Sequence, residues 1–265
     1  MKKTNLYKYY RFGFNYNILL RGSVTTSNKE LLKKLDEYLE FIDELNLSVT
    51  RGGFEMNGLN EIYDKIKKAS GDPKTADLTI DPKDFKGLVD KLNIVDHVLD
   101  AELWIKVGFV LDEKRYSNET LTSNTERLFA DDVYVMLPVI AQDDFKESGM
   151  CLAFDRYTAV AFHALRGTEE VLKLYYSKLL GKEPGPNATW GRFLSAINKR
   201  IKSKSISPSP SPELMINLES LREYHRNKTQ HPVRTYTRDE AQDLLGMCAK
   251  TINEIILDLL KRKLL

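Results

Sequence analysis

The sequence predicts a mainly α-helical protein, and three observations carry that prediction. Two segments open on a capping box, Ser27 with Glu30 and Thr237 with Glu240, in which each side chain reaches an orphan N–H of the other residue. Both are followed by apolar residues at helical spacing: Leu31, Leu35, Tyr38, Leu39, Ile42 and Leu45 after the first, and Ala241, Leu244, Leu245, Cys248, Ile252, Ile255 and Leu259 after the second. A third stretch, Thr158 to Leu180, carries Phe162, Leu165, Leu172, Tyr176 and Leu179 along one face, and Gly181 ends it, backed by Pro184 and Pro186.

Taken in order, Tyr7 to Leu20 alternates aromatic and polar residues loosely, which points to a strand or hairpin. Shorter amphipathic patterns predict helices from Gly58 to Ala69 and from Asp81 to Leu99, with a loop over Gly71 to Thr79. Leu103 to Val110 reads equally as a strand or a buried helix, and Lys114 to Asn124 as a surface loop. Pro138 punctuates the chain just before a denser helical set, so a division falls near residue 140: a mostly helical N-terminal domain over 1–140, with room for a few short strands, and a helical domain over 141–265. In the latter, Asp143 to Phe154 predicts a short helix and Asp155 to Tyr157 a turn. Thr189 is placed to cap a helix from Trp190 to Ile201, and Ser203 to Pro212, with its Ser-Pro repeats, reads as an extended linker. Ser211 and Pro212 then suit the N-cap and first turn of a helix through Leu214, Leu218, Leu221 and Tyr224, which Pro232 forbids from continuing. The expected C-terminal architecture is an antiparallel bundle of four or five helices.

With 265 residues, 42% hydrophobic and 29% charged, the chain is ordinary for a globular protein, which excludes wholesale disorder and fibrous repeats. Its longest apolar run, Val133 to Ala141, contains Pro138 and falls far short of the roughly 18–20 residues that cross a bilayer, so no membrane span is expected. Tyr7 to Phe14 is aromatic and basic rather than a secretory signal core, and a cytoplasmic location is expected. Cys151 and Cys248 read as buried thiols, and Trp104, Trp190 and His97 as core residues. Asp131-Asp132 and Asp143-Asp144 read as solvated carboxylates at helix starts; no metal site and no cofactor is expected.

Charge is informative locally. Residues 1–150 hold 21 basic and 26 acidic side chains, net −5, whereas 151–265 hold 19 and 12, net +7. Between Arg192 and Arg238 ten Lys and Arg face three acids, an excess that suits either a polyanion or a plainly solvated surface. Inside that region lies Arg226-Asn227-Lys228-Thr229-Gln230-His231-Pro232. Five helical residues turn about 500°, which would aim Arg226 and His231 about 140° apart. Because Pro232 disfavours helical geometry at the residue before it, His231 can leave the helix and swing toward Arg226 so that the two share a phosphate. The plainer alternative is that both cations only complement the negative end of their helix.

The segment Arg226-Asn227-x-x-x-His231-Pro232, preceded by Phe162-His163-Ala164-Leu165-Arg166-Gly167-Thr168-Glu169, resembles the HEPN superfamily over roughly Asp143 to Leu260; nothing comparable covers 1–140. The resemblance implies an all-α bundle that dimerises and cleaves RNA without a metal, as a toxin, an antiviral effector or a processing enzyme. Attack by the ribose 2′-OH on the adjacent phosphate would leave a 2′,3′-cyclic phosphate and a 5′-hydroxyl. On this reading His231 transfers the proton, Arg226 stabilises the phosphoryl charge, and Asn227 orients either. Lys228, His225, Arg222, Arg166 and His163 are the expected substrate contacts, with Glu169 placed to pair with Arg166. The partners implied are an RNA substrate, a second copy through the C-terminal bundle, and a regulatory protein. A non-catalytic module that binds RNA, a nucleotide or a protein is the alternative.

Overall fold

The computed structural model describes residues 6–21, 26–185, 188–230 and 234–265. The protein is mainly α-helical, and among the described residues the β pairing is an isolated antiparallel bridge between Ser27 and Thr79. The chain forms two units, Met1–Phe109 and Val110–Leu265. Their break lies ahead of the expected division near 140, for a physical reason. Leu121, Phe129, Val133 and Leu137 are buried in the core of the second unit, and Pro138 starts a helix there rather than a domain.

The first unit contains α1 (Leu6–Arg21), α2 (Asn28–Glu44), α3 (Ser48–Met56), α4 (Leu59–Gly71) and α5 (Pro82–Trp104). Helix α1 replaces the expected strand or hairpin. Its Tyr9, Phe12, Tyr16 and Leu19 recur at three- and four-residue steps and pack on the core, with Tyr9 edge-on to Phe41 at 5.6 Å and Tyr16 stacked on Tyr38 at 5.2 Å. Ser27 Oγ accepts the Glu30 N–H at 3.3 Å to start α2, and Asp81 caps α5 through the N–H of Lys83 at 2.9 Å, with Pro82 in the first turn. Helix α3 has no side-chain cap of its own. Instead the buried Glu102 carboxylate of α5 accepts the N–H of Val49 (3.2 Å) and the N–H and hydroxyl of Thr50 (both 2.7 Å). His97 and Trp104 are exposed rather than core, because Leu92, Val95 and Leu99 take the buried stripe of α5.

The second unit contains α6 (Asn118–Thr122), α7 (Val139–Ala153), α8 (Tyr157–Leu180), α9 (Trp190–Lys202), α10 (Pro212–Ser220), α11 (Asn227–Gln230) and α12 (Arg238–Lys261). Helix α6 falls inside the expected surface loop because Leu121 is fully buried; α6 rests so closely on α7 that a Cβ at Gly149 would lie 2.5 Å from the Leu121 carbonyl oxygen. Helix α8 is central, packing against α7, α9 and α12. On α12, Leu244, Leu245, Ile252, Ile255, Ile256 and Leu259 are fully buried, each contributing about 1.5–3 kcal/mol of hydrophobic stabilisation. The Thr237 and Glu240 box is complete: Thr237 Oγ1 accepts the Glu240 N–H at 3.4 Å, and Glu240 Oε2 accepts the Thr237 N–H at 2.9 Å. Gly181 ends α8 in the left-handed region at φ 64°, and Ser211 Oγ accepts the Leu214 N–H at 3.1 Å to open α10. Cys248 is buried and Cys151 half-buried.

Candidate functional site

Helix α10 runs without a break into a π-helical turn, Leu221–Arg226, and on into α11. The turn is marked by the Asn227 N–H, which donates to the carbonyl of Arg222 five residues back. One extra residue in the ladder re-aims the side chains that follow, and such turns are frequent at functional sites. Arg222, His225 and Arg226 lie in this turn, with Asn227 and Lys228 directly after it.

The Arg226 guanidinium faces α8. Its Nη2 donates to both Glu169 oxygens at 3.2 and 3.3 Å, and Nε donates to Oε2 at 3.4 Å. Both side chains are about four-fifths buried, at 21% and 19% exposed. Glu169 Oε1 also accepts the N–H of Trp190 at 3.3 Å, the first residue of α9, where Thr189 makes no side-chain cap. A single carboxylate therefore ties together α8, the π-helical turn and the start of α9.

The expected Glu169–Arg166 pair does not form. Arg166 turns toward α7, where its Nε donates to the two oxygens of Asp144 at 2.9 and 2.7 Å and its Nη2 approaches Oδ1 to 2.6 Å. His163 Nδ1 lies 3.0 Å from the same Oδ1. Residues 166 and 169 are one turn apart but about 60° apart around the axis, enough to send them to different neighbours. Asp144, expected in solvent, is fully buried. It falls within the inward stripe of α7, with Ala141, Phe145, Ser148, Gly149 and Leu152, a register already present in the sequence. Phe162, more exposed, stands edge-on to His163 at 5.7 Å with the Arg166 guanidinium 5.9 Å from its ring centre.

The other expected contacts divide. Asn227 and Lys228 are exposed, with the Lys228 ammonium 5.8 Å from the Tyr224 ring centre. Arg222 pairs with Glu219 and, at 3.3 Å, with Glu223. His225 is half-buried and stacks on Tyr236 at 6.3 Å, and its Nδ1 is buried without a hydrogen-bond partner among the described residues. Burial, then the charges of Arg234 and Lys228, push its imidazole below the usual histidine range, so it is neutral at pH 7. Tyr236, which sequence reasoning missed, shares a 2.7 Å hydrogen bond with Thr229 Oγ1. His231 lies outside the described residues. The structure thus gathers Arg222, His225, Arg226 and Lys228 on one stretch, while His163 and Arg166 stand earlier on α8 with a carboxylate of their own.

Among the described residues, no group of three or more His, Cys, Asp or Glu is placed to hold a metal ion, and no helix is long and apolar enough to cross a membrane. No protein family, curated protein or solved structure matches this chain.

Proposed function

We propose that the second unit is a HEPN-type, metal-independent endoribonuclease that acts as a homodimer, with Arg226, Asn227 and His231 as its catalytic residues. One observation carries the reading: Arg226 ends a π-helical turn, held by Glu169, five residues before His231. Its Nε and Nη2 are engaged by the carboxylate, while Nη1 makes no hydrogen bond among the described residues and is free to meet a phosphoryl oxygen. Guanidinium donors held in advance cost no reorganisation when negative charge develops on the phosphate. In this reaction the ribose 2′-oxygen forms a bond to phosphorus while the bond to the 5′-oxygen breaks. The 2′-OH proton passes to a base and the leaving 5′-oxygen takes one from an acid, the exchange an imidazole performs near neutral pH. The products are a 2′,3′-cyclic phosphate and a 5′-hydroxyl.

A second reading is favoured by the same ion pair. Glu169 already neutralises Arg226, as suits a module that binds RNA without cutting it. The test is incubation of the full chain, Arg226→Ala and His231→Ala with end-labelled single-stranded RNA in excess chelator. Cleavage by the native protein, lost in both variants, is the expected result. Cleavage that persists in both removes these residues from the chemistry, and tight binding without cleavage selects the module.

A further inference from the structure

We infer that the groove between α9 and the π-helical turn is the track along which single-stranded RNA reaches Arg226, an assignment that rests on the nucleic-acid reading above. The groove encloses about 520 Å³ and is lined by Ser195, Asn198, Lys199, Lys202, Glu219 and Arg222, together with Gly191 and Leu194. The α9 members recur at helical spacing and form one stripe along the helix. Lys199 and Lys202 are exposed, and neither has an ion-pair partner among the described residues. Ser195 and Asn198 add donors suited to phosphate oxygens. At the opposite wall, Arg222 is held by Glu219 and Glu223, and its Nε is buried without a partner.

The Gly191 end of the groove lies next in sequence to a residue bonded to the carboxylate that holds Arg226. A Cβ at Gly191 would lie 3.3 Å from Arg222 Nη1, so glycine there lets the guanidinium lie against α9; the preceding residue, Trp190, donates its N–H to the carboxylate that holds Arg226. From Gly191 to Lys202 the helix rises about 16 Å at 1.5 Å per residue. A strand that rises at least about 3.4 Å per nucleotide passes at most about five phosphates over that length. Lys199, Lys202 and Arg222 against Glu219 and the Glu223 paired with Arg222 leave a net positive channel suited to a polyanion's backbone, with few groups to read base identity. Sequence-tolerant binding follows.

The experiment is fluorescence anisotropy with a 5′-labelled 2′-O-methyl decauridylate, which lacks the attacking hydroxyl and so reports binding alone. Affinity for single strands falls with salt at a slope of about −0.7 per phosphate contact. Lys199→Gln/Lys202→Gln is therefore expected to shallow the slope by about 1.4 between 50 and 200 mM salt and to weaken binding about 25-fold at 0.1 M. Glu219→Gln, which removes the nearer of the two carboxylates on Arg222 and a negative charge from the groove, is expected to tighten binding and steepen the slope. That gain is one a purely structural role for these side chains does not produce. An unchanged affinity and slope in the lysine variant overturns the track, as does a glutamate-rich peptide that displaces the strand at equal affinity. With an inert lysine variant, cleavage of ordinary RNA that still depends on Arg226 removes the groove and leaves the catalytic reading. Groove-dependent binding without cleavage does the reverse.

Discussion

Arg166→Met is the sharpest test of the charge arrangement on α8. Asp144 is fully buried, and three of its close polar contacts come from Arg166, at 2.9, 2.7 and 2.6 Å. Methionine keeps much of the arginine stem but no donor, which leaves a desolvated carboxylate served among its described contacts by His163 Nδ1 at 3.0 Å. Orphaning one partner of a buried ion pair costs about 3–5 kcal/mol, and the surviving imidazole contact argues for the lower end. For a unit of this size, about 3 kcal/mol lowers the midpoint of melting by roughly 6–12 °C. The opposite deletion, Asp144→Asn, is milder at about 1–2 kcal/mol, because the Arg166 side chain is 50% exposed and water takes over its donors. The double variant should cost less than the sum of the singles, since the orphaned charge is gone. Trp190 is 1% exposed and belongs to the second unit, so in a Trp104→Phe background its fluorescence during urea titration follows that unit alone. If Arg166→Met costs under about 1 kcal/mol, the range of exposed pairs, or if the two substitutions simply add, then Asp144 is not shut away from water and the reasoning fails.

Two further outcomes follow from the packing. Burial pushes the Glu102 carboxyl up, but the Thr50 hydroxyl and the Thr50 and Val49 N–H groups outweigh it and hold the group below the usual carboxylate range. A depressed folded value means that the stabilisation is present above the unfolded value of about 4.5 and lost as pH falls through the folded one. Glu102→Gln should therefore cost the first unit about 1.5–3 kcal/mol at pH 7 and flatten its acid-unfolding limb, both read by circular dichroism; an equally steep acid limb would place the titrating group elsewhere. Gly149→Ala should destabilise the second unit by about 1–3 kcal/mol in the Trp190 assay despite alanine's better helix propensity, because the new methyl meets the Leu121 carbonyl oxygen at 2.5 Å; a neutral or stabilising result would mean that α6 can shift away.

Helix ends were the most legible features of the sequence. Ser27, Ser211, Thr237 and Gly181 each occupy the terminal position their chemistry indicates, since a cap involves only residues within one turn of each other. Helix α1 reads as a strand in sequence because its aromatic residues alternate loosely with polar ones, and only the stacking of Tyr16 on Tyr38 and the edge-on contact of Tyr9 with Phe41 show that the operative period is helical. The site was legible as residue types and not as partners. Arg226, His225, Arg222 and Lys228 stand out within a basic stretch, yet the π-helical turn that aims them leaves no local signature in Leu221–Arg226. Asp144 carried a readable signal, its place in the inward stripe of α7, which the adjacent Asp143 obscured.

The sequence by itself determined that the chain is helical, where most of its longer helices begin and end, and that its positive charge gathers between Arg192 and Arg238, because these depend on local bonding and composition. Only the tertiary structure decided which carboxylate meets which guanidinium. Glu169 and Arg166 are neighbours on one helix, but the faces they occupy look toward different helices, so Glu169 holds Arg226 and Arg166 holds Asp144. Charge pairing follows the direction each Cα–Cβ bond takes from its helix axis, and which partner waits there is set by the packing of elements distant in sequence.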